Sequence, residues 1–181
     1  MFCFEPRIYQ GVLYRLAKPQ DLPELVDIYN ESIVTKQSTA VLEPLTVSDL
    51  QDWFVEHHEN ANRPMIVAVC QQSDRVLGYG CFSDLYPRPA YHISAEISVY
   101  VANDAKGRGI GRYFVQLLQH IAPACGVAQM VAKIFAHNQP SLNLFEKQGF
   151  SQWGYLPKVC DMGDFIADVV ILGQEVFNTD T

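Results

Sequence analysis

The sequence predicts a mixed α/β (α+β) fold built on a central sheet of about seven, mostly antiparallel strands flanked by helices. Three observations lead to this prediction: two helical stretches precede most of the strands, two β-rich runs meet at a short turn, and a later strand continues through a glycine-rich loop into a helix. A chain of 181 residues is long enough for one core and short for two. We therefore expect a single domain over residues 1–181.

The N-terminal part is predicted to form a strand and then a helix. The segment that starts at Val12 has a strand-like alternation, which breaks at Pro19. Asp21, followed three residues later by Glu24, is typical of a helix N-cap with its capping-box partner. Apolar residues then recur at helical spacing to about Val34, so this helix has one face for the core.

A second helix is predicted from Thr46 or Ser48, either of which can act as its N-cap. Trp53 in this helix and Trp153 near the C-terminus both have apolar neighbours, and we expect both in the core. Two β-rich runs on either side of residues 73–75 predict an antiparallel hairpin.

The clearest strand of the chain covers residues 91–101. Its side chains alternate, with Ile93, Ala95, Ile97, Val99 and Val101 on one face and Ser94, Glu96, Ser98 and Tyr100 on the other. A helix from Ile110, a strand near Met130, a helix between Pro140 and Gly149 and two closing strands complete the predicted order.

Composition and charge exclude several classes of protein. Apolar residues make up 49% and charged residues 18%, without a long apolar run, so a membrane protein is not expected. A net charge of −7 disfavours a sequence-independent grip on nucleic acid. The N-terminus lacks the pattern of a secretory signal, which predicts a cytoplasmic location.

Five cysteines without a CxxC pair do not form a complete disulfide framework, and we expect buried thiols. The histidines show no H-E-x-x-H spacing, and no metal is expected.

The segment KGRGIGR, residues 106–112, lies between the clearest strand and a helix. Its spacing fits neither the dinucleotide fingerprint G-x-G-x-x-G nor a Walker loop. The N-terminus of a helix carries free N–H groups and a partial positive charge, and basic residues interleave with these glycines. The segment therefore predicts a pyrophosphate site, although glycines that only relieve strain in a connection remain the alternative.

This segment, after SVYV and with AHNQPSLNLFEKQGF further along, resembles the coenzyme A-binding pattern of the GNAT superfamily of N-acetyltransferases. The resemblance implies acetyl-CoA as cosubstrate and a sheet splayed between its fourth and fifth strands, at residues 96–101 and 130–135. It further implies that the cofactor-binding residues are Val99, Tyr100 and Val101 through their main chain, Gly107, Arg108, Gly109, Ile110, Gly111 and Arg112 around the pyrophosphate, and Asn138 and Ser141 at the thiol end.

Acetyl transfer to an amine requires a group that removes a proton and a donor for the developing oxyanion. Glu96 lies on the polar face of the central strand, and we expect it to be the general base or to orient the amine by its charge. Family analogy implies a main-chain N–H near Val99 or Tyr100 as the oxyanion donor. Many members have a tyrosine where this chain has Phe145, which cannot donate a proton; the thiolate is then protonated by water or by a group such as Tyr100.

A narrower resemblance is to the phosphinothricin N-acetyltransferase group, in which an Arg-Pro-x-Tyr-like stretch, here residues 88–91, precedes the glutamate-bearing strand. It implies transfer to the α-amine of small amino acids that end in a phosphinate, sulfoximine or sulfone, and a homodimer. Arg88 could then bind an anionic end of the acceptor in a bidentate way, or be an ordinary solvated arginine. The residues expected at the acceptor are Phe82, Ser83, Arg88, Tyr91, Ser94 and Glu96. Another small amine, a peptide acceptor, or an acyl-CoA-binding module without turnover remain alternatives.

Overall fold

The computed structural model describes residues 4–177 and, within them, eight strands that form one sheet and four α-helices. The strands are β1 (Arg7–Tyr9), β2 (Val12–Leu16), β3 (Met65–Cys70), β4 (Val76–Asp84), β5 (Ser94–Val101), β6 (Gln129–Phe135), β7 (Ser151–Asp161) and β8 (Ile166–Glu175). The helices are α1 (Leu22–Thr35), α2 (Val47–Glu59), α3 (Ile110–Ile121) and α4 (Gln139–Lys147).

The strand order across the sheet is β1-β2-β3-β4-β5-β6-β8-β7. Every neighbouring pair is antiparallel except β5 and β6, which are parallel, so the predicted mixed and mostly antiparallel sheet is confirmed. The sheet has one strand more than the seven predicted, and this strand is β1, which has three residues. It turns into β2 through Gln10 and Gly11, both at positive φ (47° and 75°). A run this short has no alternation that a sequence pattern could detect.

The sheet opens between β5 and β6. These strands pair only through Ser94 with Gln129, Ala95 with Met130 and Glu96 with Val131. From Ile97 onward β5 has no partner on this side, and its main-chain edge is free toward β6. The splay expected between the predicted fourth and fifth strands is therefore confirmed.

Helices cover both faces of the centre of the sheet. On the face toward α1 and α2, Tyr79 of β4 lies opposite Tyr100 of β5, and Tyr79 contacts Trp53 with ring centroids 6.1 Å apart. On the other face Gly78 and Gly80 leave room for the ring of Phe114 in α3. The alternation predicted for the central strand is thus observed, and its polar face is the one below α1 and α2.

Gly78→Ala is expected to lower the melting temperature by about 2–12 °C. A Cβ at this position would lie 2.6 Å from the carbonyl oxygen of Tyr100 and 3.2 Å from Cα of Val101, so the β4–β5 ladder would have to shift. Gly154→Ala in β7 is the matched control, because its Cβ would meet only the side chain of Ile171 at 3.4 Å. Differential scanning calorimetry of both variants checks this; equal melting temperatures would contradict it.

The helices α1 and α2 differ in how their N-termini are capped. Asp21 directly precedes α1, at the predicted N-cap position, but its side chain does not cap the helix, because Pro19–Asp21 form a 3₁₀ turn and Asp21 itself is helical (φ −79°, ψ −20°). Its carboxylate instead accepts hydrogen bonds from the main-chain N–H of Lys18 (2.7 Å) and from the guanidinium of Arg15 (2.7 and 2.9 Å). Thr46, one of the two predicted caps, does cap α2 in a capping box with Asp49.

The core position predicted for Trp153 is wrong, since its side chain is 49% exposed. It belongs to the edge strand β7, and its ring lies over Gly173, where a Cβ would come within 2.0 Å of the ring. Trp53 is partly buried against the core.

Cysteine burial is mixed. Cys81 and Cys125 are buried thiols as predicted, whereas Cys70 and Cys160 are partly exposed and Cys3 lies outside the described residues.

Between residues 4 and 177, none of the helices has the length and apolar character needed to cross a membrane. In the same part of the chain, histidine, cysteine, aspartate and glutamate side chains form no group of three that could hold a metal ion.

Candidate active site

The splay between β5 and β6 opens a cleft of about 410 Å³. The two strands form its walls, the segment after α1 covers it, and β7 and the start of α4 complete it. The lining includes residues 37–40, 96–100 and 132–135, together with Asn138, Ser141, Phe145, Leu156, Val159 and Cys160.

Glu96 lies where the strands part, at the last paired position of β5. Its side chain is 27% exposed, and its Oε2 is 2.7 Å from Nζ of Lys133, whose side chain is 40% exposed. Val131 is the register partner of Glu96, and Lys133 follows two residues later on the same face of the sheet. The candidate base is therefore ion-paired, which the sequence did not indicate.

Two serines predicted at the acceptor flank Glu96. Ser94 precedes it on the same face, and Ser83 is its register partner on β4. The Oγ of Ser83 is 3.2 Å from Nε2 of His57, whose Nδ1 is 2.8 Å from the carbonyl oxygen of Trp53. Because that carbonyl can only accept, Nδ1 donates to it. His57 is buried and fixes Ser83 beneath the cleft.

The glycine-rich segment forms the turn between β5 and α3. Gly107 and Gly109 have φ of +77° and +80°, a left-handed conformation that side chains with a Cβ rarely adopt. A Cβ at Gly107 would meet nothing within 4 Å, so the space beside it is open.

The first intrahelical bond of α3 runs from Tyr113 N–H to Gly109 O (3.0 Å), and no side chain caps the helix. The N–H groups of Ile110, Gly111 and Arg112 therefore lack helical partners. The side chains of Arg108 and Arg112 are exposed beside them. Free donors, open space and positive charge together fit a pyrophosphate.

This turn adjoins the open end of the cleft. A Cβ at Gly111 would lie 3.8 Å from Val101 at the end of β5 and 3.5 Å from Leu144 in α4. The free edge of β5 therefore runs from Glu96 directly to the turn, and a long ligand could follow it.

Asn138 connects the cover of the cleft to its wall. Its Oδ1 accepts from Ser141 N–H (3.2 Å) and caps α4, and its Nδ2 donates to Gln37 O (2.9 Å). The cover is also held by Tyr29, whose hydroxyl lies 2.7 Å from Oγ1 of Thr39. The amide of Asn138 is thus engaged within the protein, while Ser141 lines the cleft.

Phe145 occupies the position at which many members of the resembled superfamily have a tyrosine that protonates the leaving thiolate. Its side chain is buried and lines the cleft. Tyr100 also lines it, and its hydroxyl lies 3.4 Å from the carbonyl oxygen of Ser38. Burial raises the pKa of Tyr100 well above its usual range, so it holds its proton tightly. Neither residue is a good source of a proton.

Three residues predicted at the acceptor lie away from Glu96. Phe82 is fully buried on the opposite face of the sheet, where it pairs with Ile97. Arg88 and Tyr91 are exposed and line a separate depression of about 390 Å³. The 3₁₀ turn Pro89–Tyr91 carries them there, a path that sequence spacing does not reveal.

Comparison with known proteins identifies the family. Residues 23–150 match the acetyltransferase (GNAT) family model. Bacillus subtilis YwnH, provisionally named a phosphinothricin acetyltransferase, is 41% identical over 162 residues, covering 90% of this chain and 98% of that protein. An L-methionine sulfoximine/L-methionine sulfone acetyltransferase of Pseudomonas aeruginosa is 32% identical over 139 residues, covering 77% of this chain and 80% of that one.

The fold agrees with that of a solved relative. The crystal structure of a GNAT superfamily phosphinothricin acetyltransferase from Sinorhizobium meliloti in complex with acetyl-CoA has a TM-score of 0.89 and 26% identity, covering 95% of this chain and 92% of that one. The resemblance found in the sequence is thus confirmed. This chain belongs to the acetyltransferase (GNAT) family.

Proposed function

We propose that the protein transfers an acetyl group from acetyl-CoA to the α-amine of a small amino-acid-like acceptor of the phosphinothricin or methionine sulfone type. The observation that carries this proposal is the free edge of β5, which runs from the carboxylate of Glu96, inside the cleft, to the end of the strand beside the glycine turn. The names of the relatives support the acceptor class.

The glycine turn and the free edge of β5 support this choice of cosubstrate. The N–H groups of residues 110–112 and the charges of Arg108 and Arg112 would hold the pyrophosphate, and the main chain of residues 99–101 would bond the pantetheine arm. When bound, acetyl-CoA supplies an acetyl group already activated as a thioester.

Glu96 is proposed to take the proton that the attacking amine loses, directly or through water. Its position at the end of the paired part of β5 keeps it next to the free main-chain N–H groups. These groups are the proposed donors to the negative charge that develops on the acetyl oxygen. Because a thiol has a pKa near 8.5, a thiolate can leave without a side-chain acid.

An acceptor panel tests this function. We expect amine-dependent release of free thiol from acetyl-CoA with phosphinothricin, methionine sulfoximine and methionine sulfone, and an acetylated α-amine by mass spectrometry. Ordinary amino acids, simple amines and peptides complete the panel. A rate confined to peptides would contradict the acceptor class. Acetyl-CoA binding without amine-dependent release across the panel would favour the module without turnover. Homodimerisation and a cytoplasmic location stay predictions.

A further inference from the structure

We propose that Lys133 binds the carboxylate of an α-amino acid acceptor while Glu96 receives its amine, so that the pair recognises both ends of one zwitterion. This inference rests on the proposed function and specifies its acceptor. It also assigns to Lys133 the anion-binding role that the sequence suggested for Arg88.

The charged side chains that line the cleft support this proposal. Among the described residues that line it, Lys133 has the only positive side chain and Glu96 the only negative one. The remaining lining is apolar or uncharged. Placing a carboxylate there without a cation would have a large desolvation cost.

The geometry of the pair matches that of the ligand. The Nζ and Oε2 atoms are 2.7 Å apart, and the side chains project from neighbouring strands on one face. In an α-amino acid, the ammonium and the carboxylate are attached to the same carbon atom. The two groups of the acceptor can therefore each meet an opposite charge once the side chains of Glu96 and Lys133 separate to admit them.

Neither Arg88 nor Arg63 offers an alternative. Arg88 lines the separate depression and not the cleft. Arg63 is buried, and its Nε lies 2.7 Å from Oδ1 of Asp84. By contrast, the side chain of Lys133 is 40% exposed, and among the described residues it forms an ion pair with Glu96. It is therefore free to exchange one carboxylate for another.

Binding of an α-amino acid would replace the ion pair between Glu96 and Lys133 by two ion pairs with the ligand. In the free protein, each side chain neutralises the other. With an α-amino acid bound, the ammonium faces Glu96 and the carboxylate faces Lys133, so the number of opposite-charge contacts rises. A simple amine offers no such exchange, because it would compete with Lys133 for Glu96. The pair thus favours α-amino acids over amines of the same shape.

The test compares methionine sulfone with its decarboxylated counterpart, 3-(methylsulfonyl)propan-1-amine. Lys133→Met keeps most of the length of the unbranched side chain and removes the charge, and Lys133→Arg keeps the charge. For Lys133→Met we expect KM for methionine sulfone to rise roughly ten- to hundredfold, with kcat within about threefold. KM for the decarboxylated amine should stay unchanged or fall. Lys133→Arg should recover most of the affinity.

Lys147→Met, an exposed lysine of α4 outside the cleft, is the matched control and should behave as the wild type. The dissociation constant of methionine sulfone, measured by calorimetry with coenzyme A present, gives a readout that needs no turnover.

An equal rise of KM for both amines, or a fall of kcat alone, would overturn the proposal, because Lys133 would then act through Glu96. A wild type that binds methionine sulfone no better than Lys133→Met would overturn it too. A wild type that binds the acceptor but releases no thiol would instead refute the proposed function.

Discussion

Glu96→Gln is expected to lower kcat for acetyl transfer by about 10²–10⁴-fold. Glutamine has nearly the same size and can still form hydrogen bonds, but it cannot accept the proton of the amine. The substitution also removes the ion pair with Lys133. Thiol release at saturating acetyl-CoA and methionine sulfone measures the effect.

The same experiment separates the two roles of Glu96. If its charge only orients the amine, KM rises and kcat is largely kept; if it is the base, kcat carries the loss. Glu146→Gln, an exposed glutamate of α4 outside the cleft, is the matched control. A decrease of less than a few-fold in kcat, with an unchanged melting temperature, would remove Glu96 from the base role.

Gly109→Val is expected to weaken binding of coenzyme A by about 5–30-fold or more. With φ at +80°, a β-branched side chain either strains the turn or changes its shape. If the free turn relaxes to avoid the strain, binding must restore it, and the cost appears in the dissociation constant. Isothermal titration calorimetry with coenzyme A measures this change.

Gly126→Val is a matched control for this effect. Gly126 follows the 3₁₀ turn after α3, has φ of +69°, and a Cβ there would meet nothing within 4 Å. A Cβ at Gly109 would meet only ordinary side-chain contacts, with Gln10 at 3.7 Å and Arg112 at 3.9 Å. Both valine variants should lose stability, and only Gly109→Val should lose affinity. Equal affinities for coenzyme A would contradict a pyrophosphate site at the turn.

Local patterns in the sequence predicted the fold and part of the site. The alternation of β5 is intrinsic to eight consecutive residues, and the left-handed glycines of the turn require no knowledge of distant contacts. For this reason the polar face with Glu96 and the position of Gly107 and Gly109 before α3 could be predicted. The short β1, the 3₁₀ turn at Asp21 and the edge position of Trp153 depend on tertiary context and were missed.

The contact between Lys133 and Glu96 could not be predicted from local sequence patterns. Its distance to Glu96 depends on the parallel register of two strands that are connected through α3, and one residue of slip would turn its side chain to the other face. Arg88 is the opposite case. It is close to Glu96 in the chain, yet a turn carries it to a separate depression. Proximity along the chain therefore does not place Arg88 in the cleft.

Under the proposed function, the splay of the sheet would make the bound cosubstrate a part of the sheet itself. An extended ligand that bonds the free edge of β5 does for the sheet what an added strand does in β-augmentation. A ligand that binds only the native state stabilises it by mass action. Free coenzyme A shares these contacts with its acetyl ester, so under the proposed function the cellular level of both also affects how well this enzyme survives heat and proteases.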